Sequence, residues 1–298
     1  DASSDNTKKI ILEKSQVDNR FIYENSSNGD ISLNHKKRAL DAGIKRAKNE
    51  WLLFTDVDCR LKPGWISGMA SHFEMDVDYV VGYSEVERGN TFVSRFQFLD
   101  FLMLMAAARG ATNFGSAWAS SGQNQAYRKS LFNTVGGFSQ IANELQGDDS
   151  LYLQVCRNNN STKVVFADSN QCGTLGRQEK NWLSFLMQRL RWAGDANLMW
   201  KFNSAFFATI LNTFILPLLL LVLFFTGIML DPYYLIVFIK FISVLLMIEF
   251  ILYFIGIRKF EMKINLIDFL YWRSLHIPYV VSMGIGSFFA HQLGWRGR

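Results

Sequence analysis

Residues 50–58, EWLLFTDVD, place a short hydrophobic strand directly before two carboxylates. In an open α/β sheet, ligands bind at the carboxyl ends of the strands, so Asp56 and Asp58 are candidates for that edge. Alternating side chains along an extended chain would put both carboxylates on the same side. Such a pair can hold Mg²⁺ or Mn²⁺ together with substrate phosphates, although a solvated turn is the simpler explanation of a bare D-x-D.

The chain around this strand alternates between helical and extended patterns, which predicts an α/β fold with a mostly parallel sheet. The predicted helices are Asp5–Ser15, His35–Lys48, Trp65–Phe73, Phe92–Arg109, Ser150–Arg157 and Asn181–Trp200. The predicted strands are Arg20–Glu24, Glu50–Thr55, Tyr79–Glu87 and Val164–Asp168.

Composition changes at residue 202, and we predict a catalytic domain over 1–201 and a membrane domain over 202–298. Two apolar stretches, at about 206–230 and 233–257, exceed the ~20 residues that a spanning helix needs. Lys240 and Glu249 in the second stretch must face protein or water, because charges are costly in hydrocarbon.

A third apolar stretch, at about 266–290, is long enough to span and is predicted as a third span. Arg273, His276 and Pro278 interrupt its first half. The remaining apolar part suits an interfacial or re-entrant segment as well. The basic residues that end the chain also favour the cytoplasmic side, which a third crossing would contradict.

The chain has a net charge of +5, but acidic and basic residues are nearly equal in number and interspersed up to Lys201. A nucleic-acid-binding protein would more often show a basic stripe. Basic residues follow the second apolar stretch, at Arg258, Lys259 and Lys263. By the positive-inside rule this loop is cytoplasmic, as is the catalytic domain. The three cysteines form no close pair, so the sequence supports neither a disulfide framework nor a Cys-type zinc site.

Two further segments carry groups suited to catalysis. Asp148 and Asp149 open a predicted helix, where they either cap it or provide a general base whose pKa the neighbouring carboxylate raises. Gln188, Arg191 and Trp192 lie within about one turn of the predicted helix before the first span. An Arg there can bind diphosphate and a Trp can stack on a sugar. In isolation, an interfacial helix with a snorkelling Arg is the simpler explanation of these residues.

The order of six segments resembles the membrane-bound members of glycosyltransferase family 2. Those members include cellulose, hyaluronan and poly-N-acetylglucosamine synthases and ceramide glucosyltransferases. The matching segments are DASSDNT (1–7), KKRALDAG (36–43), TDVD (55–58), SGQNQAYR (121–128), GDD (147–149) and QRLRW (188–192). His35 and Asp41 depart from the family pattern, which has Gly and Asn at those positions.

This resemblance implies a GT-A fold whose first strand is absent, as in an N-terminally truncated chain, followed by transmembrane helices. It also implies a nucleotide-diphospho-sugar donor, expected to be a UDP-sugar, and Mg²⁺ or Mn²⁺ as cofactor. Transferred position by position, the family roles are base (Asp149) and its helper (Asp148), nucleotide-sugar binding (Asp1, Lys36, Asp56, Arg191), metal binding (Asp58, Asp56) and acceptor binding (Asn124, Gln188, Trp192).

The function implied by the resemblance is inverting sugar transfer to a glycan or lipid acceptor at the cytoplasmic face, as in a bacterial inner membrane. The Q-x-x-R-W pattern favours a processive polysaccharide synthase, whereas the small number of spans favours single addition to a lipid. A non-catalytic membrane scaffold with a degenerate transferase domain is an alternative from another class. The spans disfavour a soluble nucleotidyltransferase.

Overall fold

The computed structural model describes residues 5–144, 146–159 and 161–289, so Asp1 lies outside the described residues. Helices and strands alternate up to residue 176, and helices follow. The elements are α1 (Thr7–Val17), α2 (His35–Arg46), β1 (Trp51–Phe54), β2 (Arg60–Leu61), α3 (Trp65–Ala70), β3 (Tyr79–Gly82), β4 (Ser84–Val86), α4 (Phe92–Asn113), β5 (Gln125–Arg128), α5 (Lys129–Thr134), α6 (Ser150–Arg157), β6 (Val164–Ala167), β7 (Thr174–Gly176), α7 (Trp182–Ala196), α8 (Met199–Phe202), α9 (Ser204–Met229), α10 (Tyr233–Lys259) and α11 (Leu266–Ser287).

The main sheet has the strand order β1-β5-β3-β6, and a smaller sheet has the order β2-β7-β4. The prediction of a mostly parallel sheet is wrong, because β5 lies between β1 and β3 and runs antiparallel to both. Parallel pairing is confined to β3 with β6 and β4 with β7 among the described strands. The sequence pattern missed β5 because it has only four residues, two of them polar.

The main sheet separates two hydrophobic clusters, as the two-residue period of a strand requires. Tyr79 and Val81 of β3 face a large cluster that includes α4, while Val80 faces a small cluster with Trp65 and Met69 of α3. All three β3 residues are fully buried, so this strand forms the centre of the described residues up to 201, which are called the catalytic part after the sequence prediction.

Two predicted strands differ from the structure. The stretch Tyr79–Glu87 divides at Tyr83 into β3 and β4, which belong to different sheets. Arg20–Glu24 is not a strand, and its Phe21 and Ile22 are each 51% exposed. In the described part of the chain no neighbouring strand pairs with it, so its apolar pattern is not sufficient to form a ladder.

The helices α9 and α10 are long and apolar enough to cross a membrane, and within the described residues they alone meet that criterion. Most of their apolar residues are exposed in the isolated chain, unlike those of a soluble core helix. They agree closely with the first two predicted spans. The prediction of a single helix over Asn181–Trp200 is corrected, because α7 ends at Ala196 and the short α8 precedes α9.

The catalytic part packs against the adjacent ends of the two apolar helices. Phe206 in the first turn of α9 stacks on Trp118, with ring centroids 5.5 Å apart. Phe260, directly after α10, stacks on Tyr83 at 4.0 Å. The turn between α9 and α10 is therefore the end of this hairpin that lies away from the catalytic part.

Candidate active site

A lysine and two aspartates from three separate segments meet at the carboxyl end of β1. Lys36 Nζ lies 2.9 Å from Asp56 Oδ1 and 2.9 Å from Asp148 Oδ2. Burial alone would lower the pKa of Lys36, but the negative charges of Asp148 and Asp56 outweigh this effect and raise it. The lysine is therefore a fixed cation between the two carboxylates.

Local backbone structure places each member of this cluster. Lys36 is in the first turn of α2, and Asp56 begins a turn in which Cys59 N donates to the Asp56 carbonyl at 3.1 Å. Asp148 follows Gly147, whose φ of +100° is in the region that favours glycine. The buried Gln125 of β5 also donates to the Asp148 carbonyl oxygen at 3.1 Å. Gln125 lies in the matched SGQNQAYR segment, but the sequence assigned it no role, because this buried hydrogen bond depends on tertiary structure.

Asp149 is the N-cap of α6 and lies directly beside this cluster. Its Oδ1 accepts from Ser150 N at 2.5 Å, and its Oδ2 accepts from Gly122 N at 3.3 Å. Burial and then the charge of Asp148 raise the pKa of Asp149 to about 6, while Lys36 acts in the opposite direction. The capping and catalytic interpretations are therefore compatible, since this carboxylate caps a helix and is also poised to exchange a proton near neutral pH.

Gly122 leaves the space in which these charges approach one another. A Cβ at this position would lie 2.9 Å from Lys36 Nζ and 3.4 Å from Asp148 Oδ2. A side chain here would displace the lysine, so the Gly122 position keeps the cluster compact.

Two charged residues that the sequence analysis did not single out complete the electrostatic environment. Lys37 is 1% exposed and donates to the backbone carbonyls of Glu144 and Gln146. Burial and then the charge of Asp149 raise the pKa of Asp195 to about 8, and Lys37 opposes the shift. Asp195 lies one helical turn after Arg191, and this spacing from the Q-x-x-R-W pattern is the signal that could have identified it.

Asp58 takes no part in the ion pairs of Lys36, and the extended chain from which a shared side of the two D-x-D carboxylates was predicted is not present. A turn at residues 56–59 takes its place. Asp58 is exposed and lines a cavity of about 340 Å³ together with Arg60, Glu87 and Arg177. This cavity lies against the smaller sheet, which contributes Arg60 from β2.

The carboxylates fit a metal ion that is shared with a substrate. No three His, Cys, Asp or Glu side chains in the described ranges come together closely enough to hold a metal by themselves. Mg²⁺ and Mn²⁺ are commonly held by one or two carboxylates and completed by substrate phosphates. The exposed carboxylate of Asp58 at the edge of a cavity meets that description, whereas Asp56 is already paired with Lys36.

Asn124, predicted to bind the acceptor, is fully buried instead of lying in an open cleft. Its Nδ2 donates to the carbonyls of Tyr83 at 2.6 Å and Cys172 at 2.7 Å. Its Oδ1 accepts from Trp65 Nε1 at 3.0 Å. These bonds hold the segment between β3 and β4 in place, so the geometry gives Asn124 a structural role.

The Q-x-x-R-W segment is on α7, where its members have different neighbours. Gln188 Nε2 donates to Glu179 Oε1 at 3.2 Å. Trp192 lies under the guanidinium of Arg189, 4.1 Å from the ring centroid, and Arg189 Nε donates to the buried Asp100 at 3.0 Å. Arg191 is partly buried on the same helix. The buried pair of Arg189 with Asp100 therefore fixes α7 against α4.

Comparison with known proteins identifies the class of enzyme. The sequence profile described as Glycosyl transferase family 21 matches residues 9–298. Among solved structures, the mannosyltransferase PcManGT from Pyrobaculum calidifontis, in complex with GDP-Man and Mn²⁺, is similar in fold, with a TM-score of 0.51 and 12% identity over 96% of this chain and 75% of that one. A search of curated proteins gave no significant match. The predicted glycosyltransferase fold and class are confirmed, whereas the predicted assignment to family 2 is not confirmed.

Proposed function

Because the chain belongs to glycosyltransferase family 21, we propose that it transfers one sugar from a nucleotide-diphospho-sugar to a hydroxyl group of a membrane lipid. Transfer takes place at the cytoplasmic face and inverts the anomeric carbon by direct displacement. The observation that carries the proposal is the cluster of Lys36, Asp148 and Asp149, in which a carboxylate with a raised pKa lies beside a fixed cation.

In this mechanism Asp149 accepts the proton of the acceptor hydroxyl as its oxygen forms the new bond to the anomeric carbon. The bond between that carbon and the diphosphate breaks, and the nucleoside diphosphate leaves. Lys36 and Arg191 bind the leaving diphosphate, and Asp148 raises the proton affinity of the base. A divalent cation, held by Asp58 with Asp56 nearby, supplies further neutralisation of the diphosphate when it is bound.

The arrangement of α6 and α9 favours a lipid acceptor. Asp149 begins α6, and Gln154 of the same helix accepts a hydrogen bond of 2.8 Å from Asn203 Nδ2. Asn203 is the N-cap of α9, the first of the two apolar helices. About one and a half helical turns therefore connect the proposed base to the position where the apolar helix starts. A hydroxyl at the headgroup level of a bilayer would lie near this junction.

Two classes of nucleotide, uridine and guanosine diphosphates, are candidates for the donor. The resemblance described above implies a UDP-sugar, while the structural neighbour was solved with GDP-Man. The experiment therefore supplies the full-length protein in lipid nanodiscs with radiolabelled UDP-glucose, UDP-N-acetylglucosamine and GDP-mannose in turn, with Mg²⁺ or Mn²⁺ present.

We expect label from one donor to enter the organic phase as a product of a single sugar on lipid, and the Asp149→Asn variant to lose this transfer. An aqueous product of high mass would instead support a polysaccharide synthase. If no donor is hydrolysed or transferred, the non-catalytic scaffold is the better explanation.

A further inference from the structure

Both ends of α11 are attached to the catalytic part of the chain. Asp268, in the first turn of α11, is 3% exposed and accepts from Arg88 at 2.6 Å and from Arg95 Nε at 2.7 Å. At the other end, the Ser287 carbonyl oxygen accepts from Asn197 Nδ2 at 3.1 Å. The 22 residues of this helix extend about 33 Å, so it lies along the catalytic part instead of pointing away from it.

The middle of α11 contacts the catalytic part as well. Tyr271 packs against Phe92 of α4, with ring centroids 5.5 Å apart. Tyr279 stacks on Phe185 of α7 at 5.8 Å, and its hydroxyl lies 3.5 Å from Asp100 Oδ2. One side of α11 therefore rests on α4 and α7 over most of its length.

The other side of α11 crosses the two apolar helices at a similar depth. Arg273 Nε lies 2.6 Å from Glu249 Oε2, ten residues before the end of α10. Gly284 lies against the ring of Phe214, ten residues after the start of α9. Ten helical residues measure about 15 Å, which is half the ~30 Å thickness of the hydrocarbon core. The crossing points thus lie no deeper than the half of the bilayer nearest the catalytic part.

We infer that α11 is a re-entrant helix that lies in the membrane leaflet next to the catalytic part and returns to the side from which it enters. This inference rests on the membrane crossing of α9 and α10 in the proposed function. Of the alternatives for the third apolar stretch, a third span or an interfacial or re-entrant segment, the contacts of α11 favour the re-entrant segment.

The distribution of side chains on α11 fits a helix with protein on one side and lipid on the other. Asp268 and Arg273 are buried against protein and paired, as ionisable groups in a membrane must be. The large exposed side chains near its start are apolar, namely Leu266 (54% exposed), Ile267 (69%) and Leu270 (57%). The exposed Ser274 and Ser282 donate their hydroxyl hydrogens to carbonyl groups of the same helix. The three apolar side chains would contact the acyl chains of the near leaflet.

Topology can be tested by labelling introduced cysteines in sealed membrane vesicles with a membrane-impermeant maleimide. The background is Cys59→Ser, in which the remaining Cys156 and Cys172 are buried. Met75→Cys reports the catalytic side, since Met75 is 98% exposed, and Asp231→Cys reports the turn between α9 and α10. Phe288→Cys, directly after α11 and 68% exposed, is the test position. We expect Phe288→Cys to be labelled from the same side as Met75→Cys, and Asp231→Cys from the opposite side.

Labelling of Phe288→Cys from the Asp231 side would show that α11 crosses the membrane and would overturn the inference. Labelling of all three from one side would instead overturn the membrane crossing in the proposed function, and the inference with it. A second readout attaches a fluorophore to Ile267→Cys in nanodiscs. Lipids with a spin label near the headgroup should quench it several-fold more strongly than the same fluorophore at Met75→Cys, and equal quenching would contradict contact with lipid.

Discussion

Lys36 Nζ lies 2.9 Å from Asp148 Oδ2, which joins the start of α2 to the segment that precedes α6. The same ammonium group is equally close to Asp56 after β1. Burial is the main cause of the raised pKa of Asp149, and the charges of Asp148 and Lys36 then act on it in opposite directions. This ion pair therefore modulates the proton affinity of the proposed base.

The Asp149→Asn variant should lose transfer by about 10²–10⁴-fold while it still binds the donor, because only the proton acceptor is removed. The raised pKa means that the ionised carboxylate of Asp149 destabilises the folded state relative to the unfolded chain, and this cost is fully present above a pH of about 6. Replacing the carboxylate by an amide should therefore not lower the melting temperature at pH 7.5. Transfer rates, donor binding by calorimetry and thermal unfolding check these outcomes. The control is Asp76→Asn, at an exposed carboxylate. Near-normal turnover of the Asp149 variant would contradict its role as base.

Transfer should fall as the pH decreases through about 6, because Asp149 must be ionised to accept a proton and its pKa is raised to about 6. Lys36 favours the ionised form, so Lys36→Gln should move this acidic limb to higher pH as well as weaken donor binding. The measurement is kcat/KM against pH for both proteins. An unchanged limb in the variant would show that Lys36 does not act on the base.

Asp58→Asn should remove the dependence of donor binding on Mn²⁺, because Asp58 is the exposed carboxylate of the D-x-D turn. Calorimetric titration of the donor with and without Mn²⁺ measures this coupling. Glu87→Gln is a suitable control, since Glu87 lines the same cavity but is paired with Arg60 at 3.3 Å. Equal metal dependence in Asp58→Asn and the unaltered protein would remove Asp58 from the metal site.

Asp195→Asn should become more stable relative to the unaltered protein as the pH rises from 5 to 8. The pKa of Asp195 is about 8 in the folded protein and near 4 in the unfolded chain. Between pH 4 and pH 8 the folded protein therefore keeps a proton on Asp195 that the unfolded chain has lost. The free energy of unfolding then decreases by up to about 1.4 kcal/mol per pH unit, and the Asn variant lacks this decrease. Thermal unfolding at several pH values checks it, with Asp76→Asn as control. A constant difference between variant and parent would place Asp195 in contact with water.

The sequence predicted helices and apolar spans well because their patterns extend over many residues. The boundaries of α6 agree fully, and α9 and α10 agree within two residues with the first two predicted spans. The short strands were harder to predict, since β5 has only four residues and takes its place through pairing with β1 and β3. Such long-range pairing leaves no local signal.

The same distinction applies to the candidate site. Lys36, Asp56, Asp148 and Asp149 were proposed from motifs, and the fold brings them together. The position of Asp58 depends on a turn, and the contribution of Asp195 depends on burial and on the charge of Asp149. Neither tertiary effect can be derived from the spacing of residues along the chain.

A substitution of Asn124 distinguishes two roles for this residue of the SGQNQAYR segment, which are to stabilise the fold or to bind the acceptor. Its side chain satisfies the Tyr83 and Cys172 carbonyls and the Trp65 indole N–H, all of them buried. Asn124→Ala would leave these groups without a partner, at about 1–3 kcal/mol each before relaxation. We expect the variant to lose about 2–5 kcal/mol of stability.

The matched control for this variant is Asn133→Ala, at an exposed position of α5, where stability should change by less than about 0.5 kcal/mol. Thermal or denaturant unfolding in detergent measures the difference between the two variants. In the fraction of Asn124→Ala that folds at low temperature, the KM for the acceptor should be close to that of the unaltered protein, because the side chain is 0% exposed. A stable variant with a raised acceptor KM would instead return Asn124 to the acceptor site, and would require that the segment between β3 and β4 opens during the reaction.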